Sequence, residues 1–180
     1  GYINQEIIKL SFWELGLAHA YFCIDSDAEF IRPFTVSDFM FDERTPFSVL
    51  VEDKDLKAEP GYFAQHWQGR ERSIRRIQDL VGLQDPLLLT CHGHQVFSSK
   101  VLCSLREDFM ESRGWSYRDL LEESPYEFSW YNMWLQKSQM IDIRACEPLV
   151  KTFHNENQFL ASRLENQTSA DLARSYVAVV

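Results

Sequence analysis

Two carboxylates, Asp25 and Asp27, close the run Ala20-Tyr21-Phe22-Cys23-Ile24-Asp25-Ser26-Asp27. Side chains at i and i+2 of an extended segment point to the same side, so both can converge on one cation. No basic residue separates them, and the pair repels itself. A bound hard divalent cation would remove that repulsion and could also hold phosphate oxygens. Aspartates after a strand also serve as turn residues and helix caps, and the bare spacing leaves that reading open.

The residues ahead of the pair must position it. Five apolar or aromatic residues without Gly or Pro read as a buried strand. A strand covered on both faces carries such a continuous apolar run, as in the parallel sheet of an α/β protein. Ligands of those sheets bind outside the carboxyl ends of the strands, where Asp25 and Asp27 fall. The expectation is a central strand with neighbours on both sides.

Composition bounds the partners. The chain has 180 residues, 45% of them apolar, enough for the core of one domain spanning 1–180. A net charge of -9 argues against nucleic acid, which wants a basic surface. No apolar run approaches the roughly 18 residues of a membrane span. Cys23, Cys91, Cys103 and Cys146 are scattered among apolar neighbours, which predicts reduced thiols and a cytoplasmic protein, peripheral to a membrane at most.

The rest of the chain alternates helix and strand signals. Ile3, Ile7, Ile8, Phe12 and Leu15 predict one apolar face of a helix over 3–18. Short extended pieces are expected at 29–34, 47–51, 87–89, 95–97, 140–143 and 149–153. Helices are expected over 62–81, ending at Gly82, over 99–112, in two pieces over 115–138 broken at Pro125, and from Asn155 onward. The alternation predicts an α/β fold with a mixed sheet flanked by helices.

At these residues the chain resembles the glycosyltransferases of the GT-A fold, which carry an Asp-x-Asp at the end of a central strand. Gln5-Glu6-Ile7-Ile8-Lys9-Leu10 resembles the helix before that strand in bacterial members. Tyr21 to Phe34, with its Ile-Asp-Ser-Asp core and Arg-Pro-Phe exit, resembles their strand and following turn. His66-Trp67, Leu80-Val81-Gly82-Leu83 and Val96 to Leu102 are similar to later elements of a poorly characterised bacterial group of this type. The resemblance implies a Rossmann-like GT-A sheet, lacking the base-binding part that normally precedes the metal strand. It implies a nucleotide-sugar donor, a carbohydrate or other hydroxyl acceptor, and Mn²⁺ or Mg²⁺ as cofactor. Asp25 and Asp27 would hold the donor diphosphate through the cation. Phe153-His154-Asn155-Glu156-Asn157 resembles the place of a third protein ligand, so His154 would complete the metal set.

The acceptor side is less sharply marked. Related transferases often carry Ser-Glu-Tyr where this chain has Ser129-Trp130-Tyr131, so Glu127, earlier on the same helix, becomes the candidate base. Trp130 and Tyr131 are candidate sugar-stacking residues, though core packing also uses such aromatics. Cys91-His92-Gly93-His94 lacks the second ligand pair that structural zinc needs. His92 and His94 are therefore candidates for a polar loop near the acceptor, or members of an ordinary loop. Arg70, Arg72, Arg75 and Arg76 crowd one helix, as a solvated charged face or as partners of phosphate. The reading is a metal-dependent glycosyltransferase. Its rivals are a non-catalytic carbohydrate- or protein-binding domain with a degenerate transferase fold, and a metal-dependent phosphoryl-transfer enzyme.

Overall fold

The computed structural model describes residues 1–50, 57, 60–84 and 93–180. Helix α1 (Tyr2–Ser11) leads through a 3-10 turn to β1 (Ala20–Ile24), β2 (Glu29–Phe30) and β3 (Phe47–Val49). Then come α2 (Pro60–Val81), β4 (His94–Ser98) and α3 (Ser99–Ser104), which runs on through a wider π turn and a 3-10 turn to Arg113. The remaining elements are α4 (Tyr117–Glu123), α5 (Glu127–Ser138), β5 (Arg144–Cys146), β6 (Val150–Lys151), α6 (Glu156–Leu164), α7 (Ser169–Leu172) and β7 (Ala178–Val179). The chain is mixed α/β. The expected 87–89 strand, Cys91 and His92 lie outside the described residues.

The strands form small sheets. β1 pairs antiparallel with β4, β3 pairs parallel with β5, and β7 lies between β2 and β6. Among the described residues β1 has one hydrogen-bonded neighbour, which corrects the expectation of a central strand in a parallel sheet. Its apolar run has another cause. The β1–β4 ribbon separates two cores, and successive side chains enter them in turn. Tyr21, Cys23 and Phe97 pack in the larger core; Ala20, Phe22, Ile24 and Val96 pack in the smaller one with Phe39, Val150, Val177 and Ala178. Two covered faces demand apolar residues on both, whatever the pairing.

The larger core is built around α5. Trp130, Tyr131 and Leu135 are fully buried, and α1, α2 and α3 pack on this helix. Trp130 Nε1 donates to the Ser124 carbonyl at 2.9 Å, and the Tyr131 hydroxyl accepts the Ser98 N–H at 2.9 Å. These two rings are structural, which corrects their assignment to an acceptor surface. His94 is also buried, at 1% exposure, and its Nε2 accepts the Leu149 N–H at 3.0 Å. It ties β4 to the segment before β6 as a buried support, which corrects its assignment to an acceptor-side loop.

Two elements depart from the periodicity. The 3–18 helix is shorter: α1 gives way to the 3-10 turn Phe12–Leu15, and Gly16 ends it at φ 66°. Its buried residues are Glu6 and Leu10, whereas Ile8 and Leu15 are exposed. The expected 140–143 strand forms later, as β5. Met140, Ile141 and Ile143 pack against the larger core instead, after α5 ends at Gln139 with φ 48°. The α2 helix does stop at Gly82, whose φ of 67° favours glycine.

Removing the Tyr131 hydroxyl strands the buried Ser98 N–H. Tyr131→Phe should therefore cost about 1–3 kcal/mol, and Trp130→Ala about 3–5 kcal/mol. Urea unfolding should show lower midpoints with an unchanged slope.

Candidate functional site

Strand β1 ends at Ile24, and the ladder runs one bond further, from the Asp25 N–H to the Gly93 carbonyl at 3.0 Å. Asp25 to Ala28 then form a tight turn, closed by the Ala28 N–H on the Asp25 carbonyl at 3.1 Å. The two aspartates thus stand on a turn and not along a strand. The turn nevertheless brings both to one cleft of about 540 Å³, with Glu6 and Lys9 of α1, Arg70 of α2, Gly93, and Tyr126 and Glu127 at the start of α5. Gly93 has a positive reason to be glycine, since a Cβ there would strike the Asp25 carboxylate.

Charge in the cleft centres on Lys9. Its Nζ donates to Glu127 Oε1 at 2.9 Å and lies 3.7 Å from both Glu6 Oε2 and Asp25 Oδ1. The ammonium also sits over the Phe128 ring, 4.8 Å from its centroid. Burial alone would lower the Lys9 pKa, but Glu127, Glu6 and Asp25 outweigh it and hold the ammonium above its ordinary range. Burial, with Asp27 and Glu127 behind it, pushes the Asp25 carboxyl up against the pull of Lys9. Burial, followed by contact with Glu127, pushes Glu6 up to about 9. The Cys23 thiol, on β1 beside this cluster, is pushed up to about 11 by burial and is an unreactive thiol at neutral pH.

The sequence-based candidates divide. Asp25, Asp27 and Glu127 meet in the cleft. His154 does not line it, although Thr152 and Phe153 do. The His154 N–H donates to Gln158 Oε1 at 2.7 Å, and its carbonyl accepts the Tyr62 hydroxyl at 2.6 Å. Among the described residues, no three His, Cys, Asp or Glu side chains are grouped so as to hold a metal ion. The expected Asp25–Asp27–His154 set is not among such groups in the described residues. Of the arginines, Arg75 pairs with Glu71 at 2.7 Å and Arg76 with Glu123 at 2.9 Å on the exposed face of α2. Arg70 alone of the four lines the cleft.

Glu6 and Lys9 are the site residues that sequence reading missed as such. A signal was present. The spacing Ile3, Glu6, Ile7, Leu10 places Glu6 on an apolar helical face, and Lys9 follows at i+3.

Two oxygen donors on one turn suit Mg²⁺ or Mn²⁺, which are commonly held by one or two carboxylates together with substrate phosphates. Asp25 and Asp27 have that chemistry without His154. A second cleft of about 340 Å³ adjoins the first. It shares Asp27, Phe153 and Val180 and adds Glu29, Asn155, Glu156 and Phe159.

Comparison with protein-family models, with curated proteins and with solved structures gave no match to this chain.

Lys9→Met leaves Glu127 and Asp25 without their shared cation. The fold should lose about 3 kcal/mol near pH 8. Part should return on acidification. Carboxyls whose folded pKa lies above the unfolded value bind more protons when folded, so their contribution to stability rises as pH falls. Urea midpoints of the variant at pH 5 and pH 8 measure the difference.

Proposed function

We propose that the cleft at the end of β1 is the transfer site of a metal-dependent glycosyltransferase of GT-A type. The observation that carries the reading is the convergence of the Asp25–Asp27 turn and Glu127, a hundred residues further on, on one cleft that also presents Lys9 and Arg70. Asp25 and Asp27 would hold Mn²⁺ or Mg²⁺. The ion, when bound, would neutralise the diphosphate leaving group of a nucleotide-sugar. Arg70 reaches the same space and supplies a guanidinium for phosphate oxygens.

Glu127 would take the proton of an acceptor hydroxyl. It stands at the first turn of α5, where the helix N-terminus favours a carboxylate. The adjoining cleft suits a carbohydrate acceptor. Its aromatic rings Phe153 and Phe159 offer apolar faces to C–H groups, and Glu29, Asp27 and Asn155 offer acceptors to hydroxyls.

One observation favours the rival reading of a non-catalytic carbohydrate-binding domain. Glu127 is 4% exposed, and its carboxylate is already engaged by Lys9. A base must be reachable by its substrate, whereas a binding domain needs only the cleft.

Asp27→Asn tests the metal site. Asp27 is exposed on its turn and raises the Asp25 pKa by repulsion, so stability without metal should stay level or rise slightly. Binding of Mn²⁺ with a nucleoside diphosphate, followed by calorimetry, should collapse. Unchanged binding would remove Asp27 from the site. A screen of nucleotide-sugars for Mn²⁺-dependent hydrolysis, lost in Glu127→Gln, then distinguishes the enzyme from the binding domain.

Gly93→Ala tests the position of Asp25 by a second route. The added Cβ would strike the Asp25 carboxylate, whose side-chain end can swing aside, and would touch Val180 at an ordinary 3.6 Å. The melting temperature should stay near that of the parent while affinity for Mn²⁺ and nucleoside diphosphate falls.

A further inference from the structure

One buried acid in the cleft has no part in the transfer scheme. Glu6 is 1% exposed, lies on the inward face of α1 and lines the cleft. Among the described residues, no hydrogen-bond donor reaches its Oε2. Lys9 Nζ is 3.7 Å from that oxygen and spends its short contact, 2.9 Å, on Glu127. A buried ionised carboxylate with an oxygen left over is costly. Glu127, itself 4% exposed, lines the same cleft and shares this one ammonium with Glu6. Two buried carboxylates gathered on a single cation do not both stay ionised readily. One proton on Glu6 resolves both problems, because it converts an acceptor without a donor into a donor.

We propose that Glu6 is a positioning residue for Glu127: it carries a proton, donates it as a hydrogen bond to the Glu127 carboxylate, and with Lys9 fixes that carboxylate against the cleft. The proton pair is a property of the folded chain. Its consequence for catalysis rests on the transferase reading above.

The surroundings of Glu6 support the assignment. Tyr2 and Lys9 face it from α1 itself. Cys23 and Asp25 lie at the end of β1, Glu127 and Tyr126 at the start of α5, and Arg70 on α2. Burial raises the carboxyl most, Glu127 next, and Asp25 adds to them; Lys9 opposes. The folded pKa therefore exceeds the unfolded one. The folded state binds the extra proton between about pH 4.5 and about 9, and stability contributed by Glu6 declines as pH rises through that window.

Infrared spectroscopy of the whole chain tests the pair directly. Near pH 7 the parent should show the C=O stretch of a protonated carboxyl. The band should vanish in Glu6→Gln and persist in Asp25→Asn. Glu6→Gln supplies an N–H donor that never ionises. Its folding equilibrium constant should therefore decline less between pH 5 and pH 9 than that of the parent, where one such group contributes up to about tenfold per pH unit. If transfer activity is found, its alkaline limb should move to higher pH in Glu6→Gln. A parent without the band near pH 7, or a Glu6→Gln that keeps it, overturns the proposal. Should Glu6→Gln fail to fold, titration of the parent decides: the band must disappear on passing about pH 9, and a band that vanishes well below neutrality refutes the assignment. A confirmed band without transfer from any nucleotide-sugar supports the pair and counts against the transferase.

Discussion

The structure around the cleft depends on one partly buried ammonium. Lys9 reaches from α1 to Glu127 on α5 and to Asp25 at the end of β1, and so joins three elements through one charge. The arrangement is self-consistent only as a set. Without Lys9, three carboxyls would crowd a poorly hydrated space. Without the carboxyls, burial would drive the proton from the lysine. Such a set stabilises little relative to an apolar core of the same shape, but it makes the alternative packings expensive. It also fixes the electrostatics of the space beside Asp25, where a ligand would enter.

The second constraint is the β1–β4 ribbon. Each of its faces is packed into a different core, so the register from Ala20↔Ser98 to Ile24↔His94 cannot slip by one residue without exchanging the two sets of side chains. That register carries Asp25 to Gly93, where the absence of a side chain leaves room for the carboxylate. The buried His94 and Tyr131 hold the ribbon from either side, through Leu149 and Ser98. Residues that look like chemistry in a list of types are here the scaffold that keeps Asp25 in place.

Much of the fold was legible in the order of residue types. The β1 run, the α2 helix ending at Gly82, the break at Pro125 and the Asn155 cap all follow from local rules, because each depends on neighbours within one or two turns. The 140–143 segment was not legible. Its apolar residues suit a strand and a core lining equally, and only the position of the larger core chose between them. Of the candidate site, Asp25 and Asp27 were marked by residue type at a strand end, although their spacing pointed to an extended segment and not to the turn they form, and Glu127 was marked only through the resemblance. His154 could not be excluded, since nothing local says which way a side chain near a helix cap will face.

The sequence by itself determined a mixed α/β chain, a strand covered on both faces, and an acidic pair at its end. Apolar runs, glycines and caps act over short distances and leave their mark in the order of residues. The tertiary structure alone decided that β1 pairs antiparallel with β4, that Trp130, Tyr131 and His94 are buried supports, and that Glu6 and Lys9 stand beside Asp25 and Glu127. Those outcomes depend on which faces meet across the chain. Burial then pushes the Glu6 carboxyl up while the gathered carboxylates hold the charge on Lys9 against burial, and both are properties of the assembled core that no local pattern carries.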